Sequence, residues 1–193
     1  MSKNQELNEY RLFVKRLSET HSDRTFFNSD EAHALAVMES LIRQSSEIIR
    51  IFAGNLLHVG NQTSYIEAIS DFVERGGKVR IILNKCDDIE AIKSSNLFMR
   101  LAYYVMKGKD IIIKTTKVQP YLISDLNKKP IHFSVGDSVA YRIETDIENR
   151  VAECNLNNPA QASKFIAYFD TLFESDKCEE FNVVNIYGDH AVS

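Results

Sequence analysis

Four segments of this chain repeat one spacing, with apolar residues at offsets 0, 1, 4, 7 and 8: Ala34-Leu35-Met38-Leu41-Ile42, Tyr65-Ile66-Ile69-Phe72-Val73, Leu97-Phe98-Leu101-Tyr104-Val105 and Phe165-Ile166-Phe169-Leu172-Phe173. That spacing draws one stripe along a 3.6-residue helix, so each segment must bury one face against something flat and apolar. The flat partners are short β-branched runs between them, Ile48 to Phe52, Val79 to Leu83 and Ile111 to Ile113. They are apolar on both faces, as strands covered on both sides are. Helix and strand alternate at about thirty residues per β-α-β unit, which predicts a mixed, largely parallel α/β sheet with helices on both faces.

Punctuation agrees with this division. Ser29 or Asp30 can cap the first helix and Asn61 or Thr63 the second, and Gly76-Gly77 ends the second where the chain needs positive φ. Asn157-Asn158-Pro159 opens the last helix. After residue 128 the pattern changes. Pro130 to Val135 and Val139 to Ile143 flank Gly136-Asp137-Ser138, a hairpin signature, and a further strand is expected over Arg150 to Asn155. Residues 4 to 20 are predicted as an N-terminal helix, and Phe181, Val183, Val184 and Ile186 as a short final strand. The expected division is a helical extension over 1–27, a main domain over 28–175 and an acidic tail over 176–193.

Composition removes several classes. With 44% hydrophobic and 26% charged residues the chain can build a core, which excludes disordered and low-complexity types. No run nears the ~18 apolar residues of a membrane span, and the polar start lacks the apolar core of a signal peptide, so a cytoplasmic protein is expected. Cys86, Cys154 and Cys178 are widely spaced, without the paired steps of a zinc site. No phosphate-loop, dinucleotide, zincin or nucleophile-elbow motif occurs. Neither a cofactor nor a metal is expected.

The run Ile131-His-Phe-Ser-Val-Gly-Asp-Ser-Val-Ala-Tyr-Arg-Ile-Glu144, then Val151 to Ala160 and a helix ending in Phe169-Asp-Thr-Leu-Phe173, resembles the phospholipase D-like superfamily over about residues 28 to 175. In that superfamily a histidine on a hairpin strand attacks a phosphodiester, with a lysine two residues on, then an aspartate and a downstream asparagine, in the motif H-x-K-x-x-x-x-D. His132 matches the histidine. Ser134 stands at the lysine position and Val139 at the aspartate position, while Asp137 is two places early and belongs to the turn. Asn155 matches the asparagine, with Glu153-Cys154 in place of a small Gly-Ser pair. The resemblance thus implies a phospholipase D-like fold with a degenerate active site.

The loss bears on function. Charge grows on the non-bridging phosphoryl oxygens during histidine attack, and a fixed cation beside them supplies much of the stabilisation; losing one such donor typically costs ~10²–10³-fold in rate. The reading is therefore a non-catalytic binding or regulatory module. The alternative is an unconventional phosphodiesterase or nuclease with His132 as nucleophile and a lysine from elsewhere. Candidate ligand-binding residues are His132, Ser134, Asn155, Lys128 and Lys129.

Charge is also segregated. Residues 107–129 hold six lysines (107, 109, 114, 117, 128, 129) against two aspartates, and residues 170–193 hold six acids against Lys177. The lysines can line a surface for an anionic ligand or nucleic acid, or decorate solvated strand ends with the tail over them. His58, after the first strand, can face a crevice at the strand ends. Arg142 and Glu144 share a strand face and can pair at the surface, and Arg80 should reach solvent or a carboxylate. Because active superfamily members build their site from two motif-bearing units, a homodimer is expected, closing a sheet edge and hairpin face with Phe169, Phe173 and Phe181; a protein partner on the same face is the alternative.

Overall fold

The computed structural model describes residues 2–124 and 127–187. In chain order these form α1 (Lys3–Glu19), β1 (Phe26–Asn28), α2 (Glu31–Gln44), β2 (Ile48–Ala53), α3 (Thr63–Glu74), β3 (Lys78–Leu83), α4 (Ile89–Lys93), α5 (Asn96–Met106), β4 (Ile111–Thr116), β5 (Tyr121–Ser124), β6 (Asn127–Pro130), β7 (His132–Gly136), β8 (Ala140–Asp146), β9 (Val151–Asn155), α6 (Pro159–Phe173), β10 (Cys178–Glu180) and α7 (Val183–Tyr187). All four apolar stripes fall inside helices, and the three β-branched runs are β2, β3 and β4.

Eight strands make one mixed sheet in the order β1-β9-β8-β7-β2-β3-β4-β10, and β5 and β6 form a separate hairpin. Parallel pairing joins β2 to β3 and β3 to β4. Antiparallel pairing extends the sheet on either side, through β7 next to β2 and β10 next to β4. Residues alternate across the sheet. Ile49, Ile51, Val79, Ile81 and Leu83 face the stripes of α2, α3 and α5, while Phe52, Ile82, Phe133, Tyr141 and Ile143 face Ala162, Phe165, Phe169 and Phe173 of α6. Helices therefore lie on both faces. Arg50, on the α6 face, is held by Asp170 through two hydrogen bonds of 2.7 and 2.9 Å. Outside α2 lies α1, whose Val14 and Leu17 join the main core.

The ends of elements follow local chemistry. Asp30 caps α2 by accepting from His33 N–H at 2.8 Å, and Asn158 caps α6, with Pro159 in its first turn. Gly76 has φ +92°; its N–H bonds to Val73 O, and that of Gly77 to Phe72 O, closing α3 in a Schellman turn. At the hairpin tip, Asp137 has φ +50° and its carboxylate accepts from the backbone N–H groups of Ser46, Glu47 and Ile48 at 2.9–3.0 Å.

Several expectations need correction. Neither Asn61 nor Thr63 caps α3; Asn61 accepts instead from Asn96 N–H at 3.1 Å, at the start of α5. The final segment is strand only at Cys178–Glu180, and Val183–Tyr187 is a helical turn rather than the expected strand, because β4 pairs with the polar residues before it. Phe169 and Phe173 are buried under α6 rather than offered to a partner, and Phe181 packs against the main core. The sheet edges are three-residue strands, β1 and β10, which leave little ladder open. Asp125 and the tail beyond Tyr187, including Asp189, lie outside the described residues. Among those described, no helix is long and apolar enough to cross a membrane.

Candidate active site

His132 opens β7, beside the carboxyl end of β2, where open α/β sheets place ligands. Its Nδ1 lies 3.3 Å from Glu144 Oε2, directly across the β7–β8 pairing, and both side chains are over nine-tenths buried. An ionised Glu144 only accepts, so Nδ1 carries a proton and donates it to Oε2, which leaves Nε2 as the imidazole's other nitrogen. That Nε2 is buried with no hydrogen-bond partner among the described residues. Beside it runs Gly54, where a Cβ would stand 3.4 Å from His132 Cε1 and 3.7 Å from Lys85 Cδ. Lys85, exposed, follows β3, and its backbone N–H bonds to Gly54 O at 3.0 Å. The imidazole and the lysine stem thus flank one glycine.

Behind His132 is a buried polar cluster that sheet register assembles from β1, β8 and the turn before β9. Glu144 Oε1 accepts from Arg142 Nη2 at 3.1 Å, and Arg150 Nη1 stands 3.6 Å from Oε2. Arg142 Nε donates to Asn28 Oδ1 at 3.0 Å, and both Arg142 and Asn28 donate to Arg150 O. Burial pushes the Glu144 carboxyl up, but the hydrogen bond from His132 and the Arg142 and Arg150 guanidiniums outweigh it and hold the group below its ordinary range. Two guanidiniums, those of Arg142 and Arg150, face the one carboxylate of Glu144, an excess of positive charge. His58, in the turn after β2, feels it: burial first, then Arg150, Arg142 and His132 against an opposing Glu144, lower its pKa to about 4.

The other anticipated residues are dispersed. Ser134 shares the His132 face but borders an apolar pocket with Met38, Leu41, Ile51 and Tyr65. Asn155 is spent on the loop before β1, donating to Asp23 O at 2.7 Å and to Thr25 Oγ1 at 3.2 Å. Lys128 lies over the Tyr121 ring, 4.1 Å from its centre, on the exposed β5–β6 hairpin, and Lys129 is exposed on the same strand. The remaining lysines of that run do not form one surface: Lys109 pairs with Glu74, Lys117 with Asp87, Lys114 donates to Phe173 O and Lys107 lies over Tyr103. Arg80 reaches Asp110 at 2.7 Å. Arg142 and Glu144 do pair, but in the interior rather than at the surface.

Sequence reading missed Asn28, Gly54 and Lys85. A buried asparagine on a three-residue strand carries no periodic signal, and Lys85 nears His132 only because β2 and β3 run side by side. Among the described residues, no group of three or more His, Cys, Asp or Glu is placed to hold a metal.

No family model matches the sequence, and no curated protein matches it. Solved structures do. TrmBL2, an archaeal chromatin protein whose structure shows a novel mode of DNA binding, superposes with a TM-score of 0.60 at 14% identity, over 93% of this chain and 62% of its own. This chain thus spans less than two thirds of TrmBL2. Nuc from Salmonella typhimurium, a phospholipase D family member, gives 0.51 at 14% identity over 82% of this chain and 99% of its own. Phosphatidylserine synthase of Haemophilus influenzae Rd KW20 gives 0.54 at 11% identity over 82% of this chain and 39% of its own. Sheet order, hairpin and these likenesses agree that the chain has the phospholipase D-like fold.

Proposed function

We propose that this chain is a non-catalytic phospholipase D-like module that binds an anionic group. The observation that carries the reading is the dispersal of the motif: Ser134 borders apolar side chains, Asn155 is tied to the Asp23–Thr25 loop, and Arg142 is consumed inside the cluster. What remains at His132 is a buried nitrogen in a positive surround, which favours an anion without supplying the donors that a phosphoryl transition state needs. A phosphodiester backbone is one such group, in keeping with the mode of DNA binding that the TrmBL2 structure shows. The test is turnover of bis-p-nitrophenyl phosphate by the whole chain. None above buffer is expected, for the native chain and His132→Ala alike.

A second reading rests on Lys85. Its stem lies across Gly54 from His132, so its ammonium is the cation nearest in kind to the missing lysine, and Glu144 takes the orienting place that Val139 cannot fill. Under this reading the chain is an unconventional phosphodiesterase with His132 as nucleophile. Turnover abolished by His132→Ala and cut at least ~10²-fold by Lys85→Ala, with both variants folded, would replace the first reading by the second.

A further inference from the structure

Strand β5 presents Tyr121, Leu122 and Ile123 to solvent one after another, 42%, 45% and 75% exposed. Successive strand residues point to opposite faces, so β5 is apolar on both. Its partner β6 is cationic instead. Leu122 stands across from Lys129 and Ile123 from Lys128, and both lysines are exposed, with no ion pair among the described residues. Because β6 lies beside β8, β5 is the outer strand. A two-stranded hairpin is marginal by itself, but the base of this one is fastened. Ile131 N–H donates to Pro120 O at 3.0 Å, and Gln119 Nε2 donates to Pro120 O and Ile131 O at 3.0 and 3.2 Å. Gln119 Oε1 in turn accepts from Asn84 Nδ2 at 2.9 Å, at the end of β3. The sheet thus holds out an apolar edge on a fixed base.

We propose that this hairpin is a membrane-contact element, which sets β5 into the interface of an anionic lipid surface with Lys128 and Lys129 against the headgroups. The division of labour between the strands selects that occupant. Aliphatic side chains on both faces of an outer strand gain from the acyl boundary, tyrosine suits headgroup depth, and each nearby lysine adds attraction to anionic lipid. Lys85, exposed and next to Asn84, adds a third positive charge beside the hairpin base, again with no ion pair among the described residues. A nucleic acid fits less well. The Tyr121 ring, which a base would stack on, already lies under the Lys128 ammonium, 4.1 Å from its centre, and Leu122 and Ile123 offer no stacking surface. A peptide strand added along β5 would leave the lysines of β6 without a role. The proposal goes beyond the His132 reading and does not rest on it.

The chain contains no tryptophan, so Ile123→Trp places a single fluorescent reporter on β5. Its emission should shift to the blue with vesicles of phosphatidylcholine and phosphatidylserine, and stay unshifted with phosphatidylcholine alone. A Phe27→Trp reporter on β1, at a position 64% exposed, should stay unshifted with both. Co-sedimentation of the whole chain with the mixed vesicles should weaken as salt is raised. It should also weaken at least ~tenfold in Ile123→Asp, and likewise in Lys128→Glu with Lys129→Glu, each with an unchanged circular dichroism spectrum. No co-sedimentation of the native chain, binding indifferent to these substitutions, or an unshifted reporter at position 123 would overturn the proposal. So would a reporter that responds to a single-stranded oligonucleotide and not to vesicles, which would assign the hairpin to nucleic acid instead.

Discussion

His132 and Glu144 face each other across the β7–β8 pairing, Nδ1 to Oε2 at 3.3 Å, and the same carboxylate accepts from Arg142 at 3.1 Å. One buried anion therefore sets the imidazole's tautomer and offsets a buried guanidinium. Removing it leaves Arg142, 4% exposed, without its countercharge. Glu144→Ala should cost about 3–5 kcal/mol, and Glu144→Gln less, because the amide still accepts one hydrogen bond. Urea titration of both variants checks the order; equal, small shifts of the midpoint would mean that solvent reaches the cluster.

The acid side of the stability curve should carry a mark of His58. Its folded pKa is about 4 against an ordinary 6.5, with burial the first cause. The unfolded chain takes up the proton first as pH falls, so this contribution is fully present above about 6.5, is lost progressively on the way down, and is spent below about 4. Glu144, with its carboxyl held low, loses its contribution only below its unfolded value of 4.5. His58→Asn should flatten stability between pH 6.5 and 4 and leave the steeper fall beneath it. An imidazole proton resonance of His58 that titrates near 6.5 would contradict this.

Residues that fold by themselves or against one flat face were legible in the sequence. The four stripes, Asp30, Asn158 with Pro159, and Gly76 act within a few positions, and each marks its element. The misreadings lie where tertiary pairing decides. Phe181 to Ile186 fits a period of two or of 3.6 equally over so few residues, while Cys178-Glu-Glu, with two acids in three residues, becomes a strand because β4 offers an open ladder. Lysines that read as one basic run end on different elements with different partners. At the site, the histidine was legible from its motif, but Arg142 meets Asn28 across 114 positions and Lys85 meets Gly54 only through strand register.

The paired glycines after α3 serve different ends, and alanine should separate them. Gly76 has φ +92° and open space around a Cβ, so Gly76→Ala should cost about 1–2 kcal/mol from backbone strain, with Gly76→Asn recovering part of it. Gly77 needs no unusual dihedral, but a Cβ there would stand 2.3 Å from Cζ of the fully buried Phe72 ring. Gly77→Ala should therefore cost about 1–3 kcal/mol by overpacking, and shrinking the ring in Gly77→Ala/Phe72→Leu should give less than the sum of the two single effects. Additivity in that double-mutant cycle would show that the two sites do not touch.

Asp137 joins the hairpin tip to the start of β2, and thereby sets the register that carries His132 to the strand ends. One carboxylate oxygen accepts from Glu47 and Ile48 N–H and the other from Ser46 N–H, while Asp137 N–H donates to Ile48 O at 2.8 Å. Asp137→Ala strips three backbone donors of their acceptor and keeps a left-handed φ of +50° without a side chain to support it. Ser46 and Glu47 are exposed enough for water to replace part of the loss, which limits the cost to about 1–3 kcal/mol. Asp137→Gly should relieve the strain but not the lost bonds, and Asp137→Asn should do the reverse, tolerating the dihedral and keeping one acceptor. Both should fall between native and alanine in thermal unfolding. Hydrogen exchange separates this local tie from a general loss of stability: the amides of Glu47 and Ile48 should exchange faster in Asp137→Ala, with those of β3 unchanged once global unfolding is accounted for. Protection of Glu47 and Ile48 equal to that of the native chain would show that the hairpin keeps its register without the carboxylate.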